Sequence, residues 1–183
     1  MKGYFYMKSR FLYPSRIIFS LLSVICMAAI FCFSLENSDE SSETSMKFTK
    51  TAVNIAVDDF DDLPEKKQLS ILDKASFIIR KSAHFSLFAM LGFLISMSVG
   101  RRRLFSTASA GVMLFCFLYA VSDEIHQSFV PGRSCEFRDM MIDTSGALAG
   151  MLASVAIIFI HRKITENRKN DHISLSGGKT HEK

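Results

Sequence analysis

Four long apolar runs, separated by polar segments, set the pattern of the chain. They cover about residues 17–35, 85–99, 104–121 and 140–160. The first run, Ile17 to Leu35, is almost unbroken, and its 19 residues are enough for a helix to cross a hydrocarbon core of about 30 Å. The competing interpretation is a cleaved signal peptide, but such a core usually has only about 7–15 residues and ends at a small-residue cleavage site. The pattern therefore predicts four transmembrane helices.

The longest polar segment, residues 36–80, is not uniform. Glu36 to Ser45 is acidic and rich in serine, and a short amphipathic pattern follows at residues 46–57. The acidic run Asp58 to Asp62 is more typical of a solvated linker than of a cation site. Pro64 then suits the first turn of a new helix. We expect a helical insertion over residues 36–80, between the first two spans.

The charges of the segments that flank the spans alternate in sign. Residues 1–16 carry four bases and no acid, residues 101–103 are three arginines, and the tail at 161–183 begins with Arg162 and Lys163. The insertion carries ten acids against six bases, and residues 122–140 carry four acids against two bases. The positive-inside rule therefore predicts that both termini are cytoplasmic. We expect the polar tail to be disordered.

Composition agrees with a chain that is partly surrounded by lipid. Hydrophobic residues make up 49% of the 183 residues, and 17 Phe outnumber 4 Tyr, a skew that is high for a soluble domain. Three of the four cysteines lie in apolar runs and no Cys-x-x-Cys pair occurs, so neither a disulfide framework nor a zinc site is indicated. No nucleic-acid partner is expected. We predict an all-α, multi-pass protein of the plasma membrane, a four-transmembrane-helix bundle with an extracytoplasmic helical insertion.

Ionisable residues are dense between the third and fourth runs, from Ser122 to Gly150. Beside apolar segments, such residues cost free energy unless they lie at an interface or in a wet cavity. The predicted topology brings polar residues from three spans to the outer face. The candidate functional residues are Lys81, His84, Asp123, Glu124, Gln127, Arg133, Asp139 and Asp143.

Helical spacing suggests how some of these residues pair. Asp123 and Gln127 are four apart and share a face of the third span. Lys81 and His84, three apart, share a face of the second span. We expect this basic face to pair with Asp123 or Glu124.

The residues that follow add three further expectations. Arg133, after a Pro-Gly turn, would fork onto Asp139 or hold an anionic ligand group. Asp143 lies within an apolar run, where a carboxylate is a functional candidate by default. Gly146 and Gly150, four apart, form a GxxxG surface for helix packing.

Each candidate also has a purely structural interpretation. His84 would be a packing residue, Asp139 a helix cap and Arg138 a surface charge, and the whole cluster would be an ion-pair network that locks the helices together. His126 lies off the main polar face, and we expect it to be peripheral. A metal site from His84, Glu124 and Asp139 is disfavoured, because their spacing matches no known ligand pattern. The sequence predicts no metal and no other cofactor.

The order of these motifs resembles the VanZ-like family of integral membrane proteins. The likeness covers about residues 15–160, and its pieces are Arg80-Lys81-x-x-His84-Phe85 with Leu91-Gly92, Asp123-Glu124-x-x-Gln127-x-Phe129-x-Pro131-Gly132-Arg133, and Asp139-x-x-x-Asp143-x-x-Gly146-x-x-x-Gly150. Phe88 stands where the family often has Tyr. The resemblance implies an all-helical membrane domain at 17–160 and a link to glycopeptide (teicoplanin) resistance. It implies no settled catalytic activity.

Three hypotheses of function remain open. In the first, Lys81 and Arg133 hold the anionic head group of a membrane lipid, a lipid-linked precursor or a glycopeptide at the outer face, and Asp123, Glu124 and Gln127 complete the pocket. In the second, the protein is an enzyme that acts on a lipid-linked precursor with His84 and Glu124 as an acid/base pair. In the third, it is a scaffold for partner membrane proteins. The enzyme hypothesis requires His84 and Glu124 within hydrogen-bond reach of each other at an open pocket. The binding hypothesis requires a cationic pocket without that pair. The scaffold hypothesis requires polar groups that satisfy one another's hydrogen bonds and leave no cavity.

Overall fold

Every regular element that the structure describes is a helix. The computed structural model describes residues 12–35, 38–57, 59–100 and 104–177. Its helices are α1 (Leu12–Ser34), α2 (Ser38–Ala56), α3 (Glu65–Val99), α4 (Thr107–Gln127) and α5 (Phe137–Gly177), with a 3-10 turn at Phe60–Asp62. Of these, α1, α3, α4 and α5 are long and apolar enough to cross a membrane. The predicted all-α bundle of four candidate spans is confirmed.

The apolar side chains of the long helices face mostly outward. In the most apolar stretch of each helix, only 22–33% of the residues are buried inside the protein. Large exposed side chains include Ile17, Leu21, Ile25, Leu118 and Phe159. A surface this apolar would favour association in water, whereas in a bilayer the lipid tails solvate it. The fold is that of a multi-pass membrane protein.

Helix α3 lies at the centre of the bundle and contacts each of the other four helices. Its Phe88 and Leu91 are fully buried. They form the main core together with Cys26 and Ile30 of α1 and Ala120 of α4. Tyr119 links α4 to α1, because its hydroxyl donates a 2.7 Å hydrogen bond to the carbonyl oxygen of Met27. Helix α3 is therefore the element against which the others are positioned.

Helices α3 and α5 approach each other almost backbone to backbone. A Cβ atom at Gly150 would overlap the carbonyl oxygen of Ala89, and one at Gly146 would overlap that of Phe85. Gly92 on α3 meets the backbone of Ala147 in the same way. Small residues permit this approach in lipid, where packing rather than hydrophobic burial holds helices together. The GxxxG pair of α5 thus packs within the chain, against α3.

The insertion is built from α2 and the first part of α3. Val53, Phe60 and Leu72 form a small core of their own, and Ser45 and Ser76 share a 3.0 Å hydrogen bond. Helix α3 has 35 residues and is roughly 50 Å long, well beyond a hydrocarbon core of about 30 Å. The insertion helix and the second span, predicted as separate, are one helix, because no Pro or Gly interrupts the chain between Pro64 and Gly92.

Helix α4 begins later and ends later than the run predicted at 104–121. The Ser106 side chain caps its start by accepting the N–H of Ser109 at 3.2 Å. At its other end the helix continues through polar residues to Gln127, because their side chains find partners on α4 itself, on α1 and in the loop before α5.

Helix α5 also extends beyond the run predicted at 140–160. It begins at Phe137 and continues to Gly177, so the disorder predicted for 161–183 is not what the structure shows over 161–177. Once a span has formed a helix, each further residue adds a hydrogen bond without a new nucleation cost.

Much of the positive charge that predicts the orientation of the protein in the membrane, at residues 1–11 and 101–103, lies outside the described residues.

The close contact of α3 and α5 makes a direct prediction. Gly150→Ala should lower the stability by about 1–3 kcal/mol, as overpacking usually does, because the new methyl group would overlap backbone atoms of α3. For a chain of this size that corresponds to a loss of roughly 2–10 °C in the thermal midpoint, measured on the purified protein in detergent. Gly111→Ala is the matched control, since its Cβ would meet no described heavy atom within 4 Å. Equal midpoints for the two variants would contradict the close approach.

Candidate functional site

Polar side chains from α3, α4 and α5 converge on one cavity of about 390 Å³. The loop between α4 and α5 also contributes to it. Seven of the eight candidate residues line the cavity, and they are Lys81, His84, Glu124, Gln127, Arg133, Asp139 and Asp143. The eighth, Asp123, lies close to His84 and Asp143. Residues up to 62 positions apart in the sequence thus meet in one place.

Lys81 and Asp139 form a salt bridge between α3 and α5. Both side chains are largely shielded, with 26% and 12% of their surface exposed, so this pair is screened less by solvent than a surface pair. We expected Lys81 to pair with Asp123 or Glu124 of α4, and this expectation is wrong. The glycine contacts draw the start of α5 against α3, and Asp139 therefore reaches the ammonium group.

A chain of hydrogen bonds joins α4, the following loop and α1. The Gln127 side-chain amide donates to Asp123 Oδ2 at 2.7 Å, as their spacing on one helix face suggests, and to Ser34 Oγ at 3.4 Å. Arg133 Nη1 in turn donates to Gln127 Oε1 at 3.1 Å. Arg133, which we expect to fork onto Asp139 or to hold an anionic ligand group, thus contacts Gln127 in the structure. The loop brings the guanidinium group back towards the end of α4.

Glu124 anchors the connection between α4 and α5. It is only 1% exposed, and its Oε2 accepts the backbone N–H of Glu136 at 3.0 Å. Glu136 immediately precedes α5, where backbone N–H groups lack helical partners and the helix dipole favours negative charge. The side chain therefore holds the beginning of α5 in place, and in the described part of the chain it makes no hydrogen bond with His84.

His84 faces Asp143 across a gap. The distance from His84 Nδ1 to Asp143 Oδ2 is 4.0 Å, which is longer than a hydrogen bond. Asp143 is 1% exposed, and its Oδ2 has no hydrogen-bond partner among the described residues. Donor atoms of His84, Asp123 and Asp143 all lie within 4.8 Å of one another. The imidazole thus meets one of its expected partners, Asp123, together with Asp143 from the fourth span.

Two residues that we expected at the margin do lie there. The ring of His126 stacks on Phe31, with the ring centroids 4.4 Å apart. Arg138 pairs with Glu136 at 3.2 Å, and its guanidinium carbon lies 5.1 Å from the ring centroid of Phe77. Neither His126 nor Arg138 lines the cavity.

Some of the residues that line the cavity are missing from the sequence-based prediction. Phe33, Phe77, Leu87 and Ile142 form an apolar part of its wall. Phe77 precedes Lys81 by one helical turn, so the spacing rule that paired Lys81 with His84 would also have found it. Arg80 lines the cavity as well. Its position directly before Lys81 in the sequence would have identified it as a candidate residue. The apolar wall as a whole has no such indication, because apolar residues are everywhere in these helices.

The VanZ/LLP1 family model matches residues 19–160, and no curated protein or solved structure matches the chain at a significant level. The matched region contains all eight candidate residues and the two packing glycines. Because the match takes in 142 of the 183 residues, the chain belongs to the VanZ/LLP1 family.

Proposed function

We propose that this VanZ-like membrane protein binds an anionic, amphipathic molecule of the cell envelope, a membrane lipid or a lipid-linked precursor. The observation that carries the proposal is a single cavity with both cationic and apolar walls. Its volume, about 390 Å³, falls in the range of known small-molecule pockets. The bound part would be a head group, with the apolar chains outside the cavity in the bilayer.

The cationic part of the wall comes from Arg80, Lys81 and Arg133. Arg133 is half-buried, and its planar guanidinium group is suited to two parallel hydrogen bonds with a phosphate or carboxylate. Its contact with Gln127 holds the side chain in a defined orientation, so less conformational entropy is lost when a ligand binds. In our proposal Arg133 is the main anchor of the head group.

The apolar part of the wall would hold the first segment of an acyl or prenyl chain. Phe77 and Phe33 line the cavity, and the two residues are 37% and 52% exposed. In our proposal the chain of the ligand lies along these rings. The charge pattern predicts that the cavity opens on the extracytoplasmic side, where envelope precursors are used.

The other two hypotheses receive less support. The acid/base pair required for the enzyme is not formed among the described residues, because Glu124 accepts the Glu136 N–H and His84 faces Asp143. The scaffold requires polar groups that satisfy one another without a cavity, whereas a cavity exists and Asp143 Oδ2 has no hydrogen-bond partner in the described residues. A link to teicoplanin resistance would follow from the binding proposal. A protein that holds an envelope precursor, or the glycopeptide itself, would change how readily the drug reaches its target.

Arg133→Gln should weaken the binding of an anionic lipid at least tenfold. The expected loss is that of a hydrogen bond to a charged group, about 1.5–3 kcal/mol. Native mass spectrometry of the purified protein would measure the binding of phosphatidylglycerol, with phosphatidylcholine as the zwitterionic reference. Arg168→Gln is the control, because Arg168 is exposed in the last part of α5 and does not line the cavity. Equal affinity of the wild type for the two lipids would sink the proposal, as would unchanged binding by Arg133→Gln.

In cells, Arg133→Lys should keep the amount of protein in the membrane but change the teicoplanin and envelope-stress phenotypes. Lysine retains the positive charge but cannot form two parallel hydrogen bonds. Glu124→Gln should also retain abundance, because an amide oxygen can accept the Glu136 N–H. The measurements are immunoblots of membranes and drug susceptibility of strains that carry each variant, with His84→Gln in the same set. A loss of abundance in parallel with the phenotype would show that the cluster is structural.

The predicted orientation can be tested with the native cysteines. Cys135 is exposed in the loop beside the cavity, whereas Cys26 and Cys116 are buried and Cys32 is exposed within α1. A membrane-impermeant maleimide should label the protein in intact cells, and Cys135→Ser should remove that label. Labelling only after the membrane is permeabilised would place the loop on the cytoplasmic side and contradict the positive-inside prediction.

A further inference from the structure

We propose that His84, Asp123 and Asp143 form a binding site for a divalent transition-metal cation beside the cavity. Each residue comes from a different span, α3, α4 and α5 respectively. Their donor atoms all lie within 4.8 Å of one another. An ion with bonds of about 2 Å would draw these atoms closer together. The inference rests on this geometry and not on the proposed lipid.

The gap between His84 and Asp143 has the size that a shared ion would occupy. Their nitrogen and oxygen atoms are 4.0 Å apart, too far for a hydrogen bond and somewhat more than the roughly 3.3 Å that separates two ligands of a tetrahedral ion with bonds of about 2 Å. Asp143 Oδ2 is buried with no hydrogen-bond partner in the part of the chain described. A buried carboxylate oxygen without a partner is costly, and a cation in the gap would satisfy it.

The two carboxylates among the donor residues also favour a cation. Asp123 and Asp143 are both buried and lie close together. A divalent ion bound between them would offset the repulsion of two ionised carboxylates.

Asp123 is oriented by hydrogen bonds in the way that metal-binding carboxylates usually are. Gln127 donates to Asp123 Oδ2 at 2.7 Å, and Arg133 in turn fixes the Gln127 amide at 3.1 Å. Metal-binding carboxylates are commonly oriented by such hydrogen bonds, and loss of one typically reduces metal affinity by about 10–100-fold.

The donor types select among metals. An imidazole nitrogen favours zinc and other transition metals, whereas Mg²⁺ and Ca²⁺ prefer sites made only of oxygen. Three protein ligands would also leave a zinc ion with an open position. We therefore expect Zn²⁺ to bind more tightly than Mn²⁺, and both far more tightly than Mg²⁺.

The test is a zinc titration of the full-length protein in detergent, without an affinity tag. Cys32→Ser and Cys135→Ser are introduced first, because exposed thiols would bind zinc themselves. After removal of metal with a chelator, competition with a chromophoric zinc indicator should show about one site per chain. Asp143→Asn should lower the affinity at least 100-fold, and Gln127→Ala by about 10–100-fold. Glu136→Gln, the control carboxylate in the same cavity, should bind zinc as the parent does.

Thermal unfolding with and without Zn²⁺ checks that the variants are folded. The parent should be stabilised by zinc, as any ligand of the folded state stabilises it, while Asp143→Asn should unfold at a midpoint that zinc does not change. Asp143→Asn should still bind phosphatidylglycerol although it loses zinc, because the proposed head-group anchors are the cationic side chains of the wall, so failure of the lipid proposal and failure of the metal site can be distinguished. The metal site is wrong if the parent takes up no zinc, or if Asp143→Asn and Glu136→Gln bind it equally well.

Discussion

The close approach of α3 and α5 is the constraint on which the rest of the structure depends. Gly92, Gly146 and Gly150 leave no room for side chains between the two backbones. The same approach brings two polar pairs of α3 and α5 together. Lys81 meets Asp139, and His84 comes within 4.0 Å of Asp143. In a bilayer, where burial of apolar surface does not hold helices together, such packing has to be close to be stable. Small residues on the helices thus determine which charges meet.

Three of the four buried carboxylates among the described residues have a hydrogen-bond or ion-pair partner. Asp139 has Lys81, Asp123 has the Gln127 amide, and Glu124 has the backbone N–H before α5. Asp143 has no cationic group within hydrogen-bond distance, and its Oδ2, like Asp139 Oδ1, is buried without a hydrogen-bond partner among the described residues. A polar cluster that served only to lock helices together would satisfy such atoms. Asp143 Oδ2 faces His84 across a gap of 4.0 Å, and the proposed cation would bind there.

The two proposals concern neighbouring parts of one cavity and are chemically compatible. Arg80, Lys81 and Arg133 supply positive charge to its wall, while His84, Asp123 and Asp143 group their donor atoms beside it. An anionic head group on the arginine side and a cation on the carboxylate side would reduce each other's electrostatic cost. The long α3 extends from the insertion to this cavity, and Ser45 and Phe48 of α2 line it, so the insertion and the site form one continuous unit.

The sequence by itself determined the membrane character, the four spans and the residues of the polar cluster. These follow from the length of apolar runs and from the rule that ionisable groups beside such runs need a special environment. The spacing of Asp123 and Gln127 also predicted their shared helix face, because that interaction is local. The partners of Lys81, Arg133 and Glu124 were decided only by the tertiary structure, since they depend on how three helices and a loop are placed. The grouping of His84 with Asp123 and Asp143 has the same origin: ligands on three separate helices leave no spacing pattern in a sequence, and only the packing of α3 against α5 brings them together.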